Sequence, residues 1–87
     1  MKIKDGFILR KVANTYIAVA IGEESVNFNA MVTTNETGAF LWEKLKTETT
    51  EAELVKALTA EYEVDEETAK ADISEFLGKL KDGKLLD

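Results

Sequence analysis

The chain has 87 residues, a formal net charge of −6, 45% apolar residues and 32% charged residues, which is typical of a folded globular chain. This length predicts one domain spanning residues 1–87, and the absence of Cys and His excludes disulfides, zinc sites built on these ligands and His-activated nucleophiles. The sequence has no apolar run of about 18 residues and no secretory signal, so we expect a cytoplasmic protein with no membrane partner.

Three strands are predicted in the first part of the chain. Phe7–Val12 and Thr15–Ile21 are rich in residues that favour strands and are separated by Ala13-Asn14, which predicts a hairpin. The β-branched residues of Asn29–Thr34 predict a third strand. Because Thr15–Ile21 is apolar on both faces, it suits the central position. The third strand is then an edge, with no Pro or charge to protect it from pairing with another chain.

The first predicted helix begins after Asn35, a good N-cap residue, and ends near Lys46. Gly38 lies in its first turn, where glycine costs about 1 kcal/mol of helix propensity relative to alanine. We therefore expect Gly38 to mark a close approach of this helix to the sheet. Trp42 shares an apolar stripe with its neighbours, which favours a core role over an exposed binding role.

The second predicted helix ends near Tyr62 and begins with a capping box, in which Thr50 and Glu53 each accept a hydrogen bond from the other's amide. Asp65 caps the third helix, which has a long apolar stripe and a predicted left-handed stop at Gly83. The order of elements is β-β-β-α-α-α. It predicts an α+β domain in which three helices cover one face of a three-stranded antiparallel sheet.

The sequence contains no recognisable catalytic constellation. Adjacent carboxylates such as Glu66 and Glu67 point about 100° apart on a helix and do not share a site. The spacing of a calcium loop is absent, and the glycines form no phosphate-binding cluster. We therefore expect a protein that is not an enzyme and that has no cofactor or metal.

An ordered set of motifs in the helical part of the chain resembles the PqqD family. The motifs are Asn35–Trp42, the capping box at Thr50, Asp72-Ile73 followed by Phe76-Leu77 and Leu80, and a closing Gly83 followed by Leu85-Leu86. Members of this family are peptide-modification chaperones, named for PQQ biosynthesis, whose winged-helix-like fold is called the RiPP recognition element. The resemblance implies that the chain binds the leader of a ribosomally made precursor peptide. It would present that leader to a modifying enzyme, often a radical S-adenosylmethionine enzyme.

The resemblance also implies where the leader binds: as an added strand beside the third strand, with its side chains against the third helix. The strand positions are Met31, Val32, Thr33 and Thr34, and the helix positions are Ile73, Phe76, Leu77 and Leu80. Which of these helix residues line a groove and which belong to the core stays open at this point. About five backbone hydrogen bonds contribute roughly 2.5–7.5 kcal/mol, whereas ordering about six peptide residues costs roughly 6–12 kcal/mol. We therefore expect two or three apolar leader residues to be buried between strand and helix.

Two alternatives share the predicted fold class. A winged-helix DNA-binding domain needs a basic recognition helix, but acidic residues outnumber Lys in Asp65–Lys81, so we expect no nucleic-acid partner. The other alternative is an adaptor that binds a globular protein instead of a peptide. The sequence is compatible with a monomer or a homodimer.

Overall fold

The computed structural model describes residues 1–22 and 32–86. Within these residues an antiparallel sheet is followed by three helices, which confirms the predicted α+β class and the predicted order of elements. The strands are β1 (Phe7–Val12), β2 (Thr15–Ala20) and β3 (Thr33–Thr34), and the helices are α1 (Glu36–Lys44), α2 (Glu51–Glu61) and α3 (Glu66–Asp82). The part of the predicted third strand from Asn29 to Met31 lies outside the described residues.

β2 is the centre of the described sheet, which has the order β1-β2-β3 with both pairings antiparallel. The central position predicted for the second strand and the edge position predicted for the third are therefore both confirmed. One face of the sheet buries Ala18 and Val32 against the helices. The opposite face carries Ile17 and Val19, which are half-buried, so β2 is covered fully on one side and partly on the other.

The core lies between the sheet and the three helices, and α1 contributes much of it. Trp42 is only 2% exposed, which confirms its predicted core role. Phe40 and Tyr62 meet edge to face, with ring centroids 5.6 Å apart, and this contact joins α1 to the residue after α2. The remaining large side chains that are fully buried are Leu41, Leu45, Leu54, Leu58, Ile73, Leu77, Leu80 and Leu85.

Side-chain caps fix the starts of α1 and α3 as predicted. The Oδ1 atom of Asn35 accepts a hydrogen bond of 2.9 Å from the amide of Gly38. The Oδ1 atom of Asp65 accepts one of 2.7 Å from the amide of Thr68. Each cap satisfies an amide that has no partner within its helix. α1 ends at Lys44, two residues before the predicted end.

The capping box predicted for α2 is only half formed. The hydroxyl oxygen of Thr50 accepts the amide hydrogen of Glu53 at 3.2 Å, as expected. The carboxylate of Glu53 accepts a hydrogen bond of 2.9 Å from the hydroxyl of Thr49, and the predicted return bond to the amide of Thr50 is wrong. The buried Thr49 hydroxyl is the better-placed donor, because it would otherwise lack a partner among the described residues.

The stop at the end of α3 differs from the prediction. Gly83 has a φ of −83° and is still right-handed, so the predicted left-handed glycine is wrong. The left-handed residue is Lys84, with a φ of 62°. The amide of Lys84 donates to the carbonyl of Lys81 at 3.0 Å, and the amide of Leu85 donates to that of Leu80 at 2.8 Å. This is the pair of hydrogen bonds that defines a Schellman motif, with Lys84 in the position that glycine usually occupies.

Packing, not backbone conformation, explains the glycine at position 83. A Cβ atom there would lie 2.6 Å from Cδ1 of Leu85 and 2.8 Å from Cγ2 of Val32. Leu85 is fully buried, so the segment after α3 folds back onto the core. Its carbonyl also accepts a hydrogen bond of 2.8 Å from the amide of Lys4, beside a bridge between Ile3 and Leu86.

Substitutions at Gly83 and Lys84 test the explanations given for these two residues. Lys84→Gly removes a left-handed strain of about 1 kcal/mol and is expected to raise the free energy of unfolding by up to that amount. Gly83→Ala is expected to lower it, because its new methyl group collides with Leu85 and Val32. Urea denaturation followed by circular dichroism measures both changes. A stability loss in Lys84→Gly would contradict the assignment of the strain to that residue.

The cap at Asp65 predicts a specific pH dependence. The hydrogen bonds from the backbone and side chain of Thr68 hold the pKa of Asp65 below its ordinary value. Because the folded-state pKa is depressed, this stabilisation is complete above the ordinary pKa and is lost as the pH falls through the folded-state pKa. Asp65→Asn caps the helix at any pH, so the stability difference between wild type and variant should be constant above about pH 5 and change below about pH 4. A difference that is constant down to about pH 2 would contradict this linkage.

Candidate functional site

The outward side of β3 carries main-chain groups that no described residue satisfies. The carbonyl of Val32 accepts a hydrogen bond of 2.9 Å from the amide of Ala18, so Val32 and Ala18 form a hydrogen-bonded pair of the ladder. Hydrogen-bonded and non-hydrogen-bonded pairs alternate along an antiparallel ladder. Thr33, which is opposite Ile17, therefore directs its N–H and C=O away from β2. Within residues 1–22 and 32–86, no backbone hydrogen bond reaches these two groups.

A groove lies where the end of β3 meets α1 and α3, and we call it the β3–α3 groove. It is small and open to solvent, with a cavity volume of about 90 Å³. The end of β3, the start of α1 and one side of α3 form its walls. Its lining residues are Thr34, Asn35, Thr37, Gly38, Leu41, Asp72, Glu75, Phe76 and Lys79.

The floor of the groove is apolar and its α3 rim is charged. Phe76 and Leu41 form the floor and are only 5% and 1% exposed, so they present little surface before a ligand arrives. Asp72, Glu75 and Lys79 form the rim, and all three are exposed. A ligand in this groove therefore meets charged groups and the aliphatic stems that carry them before it reaches the floor.

The rim charges are not paired with other described residues. Glu75 and Lys79 are four residues apart on one helix, the spacing that favours an ion pair. Lys70 uses this spacing to pair with Glu66 at 3.3 Å, but Lys79 forms no ion pair within 4.0 Å among the described residues. The charges on the groove rim are therefore available to a ligand.

The structure places the eight residues named for the leader site in different environments. Phe76 lines the groove and Thr34 forms part of its wall. The main-chain N–H and C=O of Thr33 point away from β2. The main-chain carbonyl of Val32 points towards β2, and Val32 is buried. Ile73, Leu77 and Leu80 are fully buried core residues that do not line the groove. Met31 lies outside the described residues.

Sequence reasoning missed the polar residues of the groove. Asp72, Glu75 and Lys79 are separated by three and four residues, the pattern that puts residues on one side of a helix, and Phe76 lies among them. This pattern was a usable signal, because it marks a charged stripe beside the apolar one. What it lacked was the direction that the stripe faces, which depends on the position of β3.

Gly38 sets the position of β3 relative to α1. A Cβ atom on Gly38 would lie 1.7 Å from Oγ1 of Thr34 and 2.7 Å from its Cβ. Only glycine lets the first turn of α1 approach the edge strand this closely. The prediction that Gly38 marks a close approach of helix and sheet is confirmed.

Comparison with known proteins decides the family. Residues 17–86 match the family described as coenzyme PQQ synthesis protein D (PqqD). The chain belongs to the PqqD family. This match confirms the resemblance that the sequence motifs indicated, and it covers β3, all three helices and β2 from Ile17 onwards.

A solved structure with the same fold is that of TbiB1 in complex with the TbiA(beta) leader peptide. It is similar to this chain with a TM-score of 0.73 and 25% identity, over 100% of this chain and 95% of TbiB1. A search of curated proteins found no match.

The described part of the chain offers neither a metal site nor a membrane span. No group of three or more Asp or Glu side chains within residues 1–22 and 32–86 is arranged to hold a metal ion. None of the helices described is both long enough and apolar enough to cross a membrane.

The close approach at Gly38 predicts opposite effects at two helical glycines. Gly38→Ala gains about 1 kcal/mol of helix propensity but forces α1 away from Thr34, for an expected net loss of about 1–2 kcal/mol. Gly78→Ala is the matched control, because a Cβ atom there meets nothing within 4 Å, and it should raise stability by about 1 kcal/mol. Urea denaturation compares the two variants. Equal stabilisation by both would contradict the proposed contact.

Proposed function

We propose that this protein is a non-catalytic chaperone that binds the leader segment of a ribosomally made precursor peptide as an added strand at β3. The observation that supports this most directly is the outward N–H and C=O of Thr33 beside an open groove. A strand edge of this kind gives affinity through main-chain hydrogen bonds, and the adjacent groove gives specificity through alternate side chains. Membership of the PqqD family and similarity to TbiB1, whose structure contains a leader peptide, support the same function.

Main-chain pairing at Thr33 would not by itself hold a leader. The two outward groups of Thr33 contribute about 1–3 kcal/mol as hydrogen bonds, which is less than the roughly 6–12 kcal/mol needed to order about six peptide residues. Side chains must supply the rest. A leader side chain over Phe76 would be enclosed by that ring and by the aliphatic stems of Glu75 and Lys79, which form the groove side of α3.

The bound leader would then be presented to a modifying enzyme, for which a radical S-adenosylmethionine enzyme is our first candidate. In this proposal the enzyme supplies the chemistry, and the present chain supplies the peptide in an extended conformation. The DNA-binding alternative is disfavoured by the groove itself, because two of its three rim charges are negative and would repel phosphates. We place the complex in the cytoplasm.

Selection from a displayed library of random peptides, each about 12 residues long, tests strand addition when it is followed by calorimetry of the selected peptides. Thr33→Pro replaces the outward N–H and puts a proline ring in the path of the peptide, but it leaves the hydrogen bonds to β2 intact. We expect it to weaken binding at least tenfold.

Thr33→Ala is the matched control, because it keeps the N–H and changes only an exposed side chain, and its affinity should stay within about twofold of wild type. Circular dichroism establishes that both variants are folded. Two outcomes would sink the proposal: a library that yields no binding peptide, or a folded Thr33→Pro variant that binds as tightly as Thr33→Ala.

A further inference from the structure

The rim of the β3–α3 groove carries charges in a fixed order along α3. Asp72 and Glu75 come first and Lys79 follows, with Phe76 between them on the floor. The step from Asp72 to Lys79 corresponds to a rise of about 10.5 Å along the helix axis. A ligand that follows the groove therefore passes a negative region, an apolar contact and a positive region in sequence.

The direction of β3 relative to α3 can be read from two contacts. Gly83, just after the end of α3, lies beside Val32, since a Cβ atom on this glycine would be 2.8 Å from Cγ2 of Val32. Thr34, two residues further along the chain, lines the groove together with residues 72–79 of α3, which all precede Gly83. β3 thus runs from the C-terminal end of α3 towards its N-terminal part.

A peptide strand added to β3 takes its direction from the sheet. Both pairings in the described sheet are antiparallel, and antiparallel pairs are about two to three times as common as parallel ones. A peptide antiparallel to β3 runs from the Thr34 end of the groove to the Val32 end. Its N-terminal part then lies near Asp72 and its C-terminal part near Lys79.

We infer that the groove selects leaders in which a basic, an apolar and an acidic residue alternate in that order, from the N-terminal to the C-terminal side, at positions i, i+2 and i+4. This inference rests on the proposed function and specifies the class of leader. Alternate residues of a strand face the same side, and the step from i to i+4 spans about 13.6 Å. The rise from Asp72 to Lys79 is about 10.5 Å, and the long side chain of Lys79 bridges the difference. The basic residue meets Asp72 and Glu75, the apolar residue lies over Phe76, and the acidic residue meets Lys79.

Among residues 1–22 and 32–86 the rim charges have no ion-pair partner, which supports this inference. Glu75 and Lys79 have the spacing to neutralise each other, but they do not form an ion pair in the structure. Both charges therefore stay available to a peptide of complementary order. A leader with the reverse order would bring like charges together at both ends of the groove. This repulsion would lower its affinity, so the groove would exclude leaders of the wrong order.

Two synthetic peptides of identical composition provide the first test on the wild-type protein. They derive from one library-selected peptide, made once with the order Lys-Thr-Leu-Thr-Glu at its centre and once with the Lys and Glu exchanged. We expect the first to bind about tenfold more tightly at low salt, and the ratio to shrink as salt screens the exposed charges.

A charge exchange in the protein provides the second test. The double variant D72K/K79D keeps the net charge and should reverse the preference between the two peptides. The control E67K/K81E makes a comparable exchange at exposed positions of the same helix that do not line the groove, and it should keep the wild-type preference. The peptide comparison uses the wild-type protein, so it tests the charge order even if a variant does not fold.

The outcomes separate this inference from the function on which it rests. Equal binding of both peptides, or a preference for the exchanged one, would overturn the charge order and leave strand addition intact, provided that Thr33→Pro still weakens binding. The charge order is also overturned if D72K/K79D folds and keeps the wild-type preference. If the library yields no binding peptide, strand addition itself is overturned, and the charge order with it.

Discussion

The contact between Gly38 and Thr34 is the constraint on which the rest of the site depends. It brings the first turn of α1 against the edge strand with only the Thr34 side chain between them, at 1.7 Å from Thr34 Oγ1 to the position a Cβ atom would take. The helix gives up about 1 kcal/mol of propensity to place a glycine there. The contact that this glycine permits holds β3 close to the helical layer. The space that remains between the end of β3, α1 and α3 is the groove.

α3 contributes side chains both to the core and to the groove. Its apolar stripe, Ile73, Leu77 and Leu80, is fully buried in the core. Its adjacent stripe faces the groove, and Phe76 belongs to both, because it is nearly buried yet lines the floor. The buried stripe fixes the rotation of the helix about its axis, so the charged residues of the rim are positioned by the core beneath them. Preorganisation of this kind reduces the entropy that a partner must overcome.

Local chemistry made much of this fold predictable. The caps at Asn35 and Asp65 were predictable because an N-cap needs only a side-chain oxygen within about three residues of a free amide. The stop at Gly83 was mispredicted because sequence suggests glycine for conformational freedom, whereas here its missing Cβ makes room for Leu85 and Val32. The division of α3 between core and groove was not predictable at all. Helical periodicity groups residues into stripes, but tertiary packing decides which stripe meets the sheet and which meets the solvent.

The main-chain groups of Thr33 that meet no partner within residues 1–22 and 32–86 have a consequence for the protein when no peptide is bound. An edge with unpaired main-chain groups can pair with the edge of another copy, and edge-to-edge pairing is the first step of β-sheet aggregation. The net charge of −6 opposes such encounters by mutual repulsion, but salt weakens this repulsion beyond a Debye length of about 10 Å at 0.1 M. A bound leader would remove the hazard by occupying the edge. The peptide and its chaperone would then protect each other: the peptide is held extended for modification, and the sheet is shielded from its own copies.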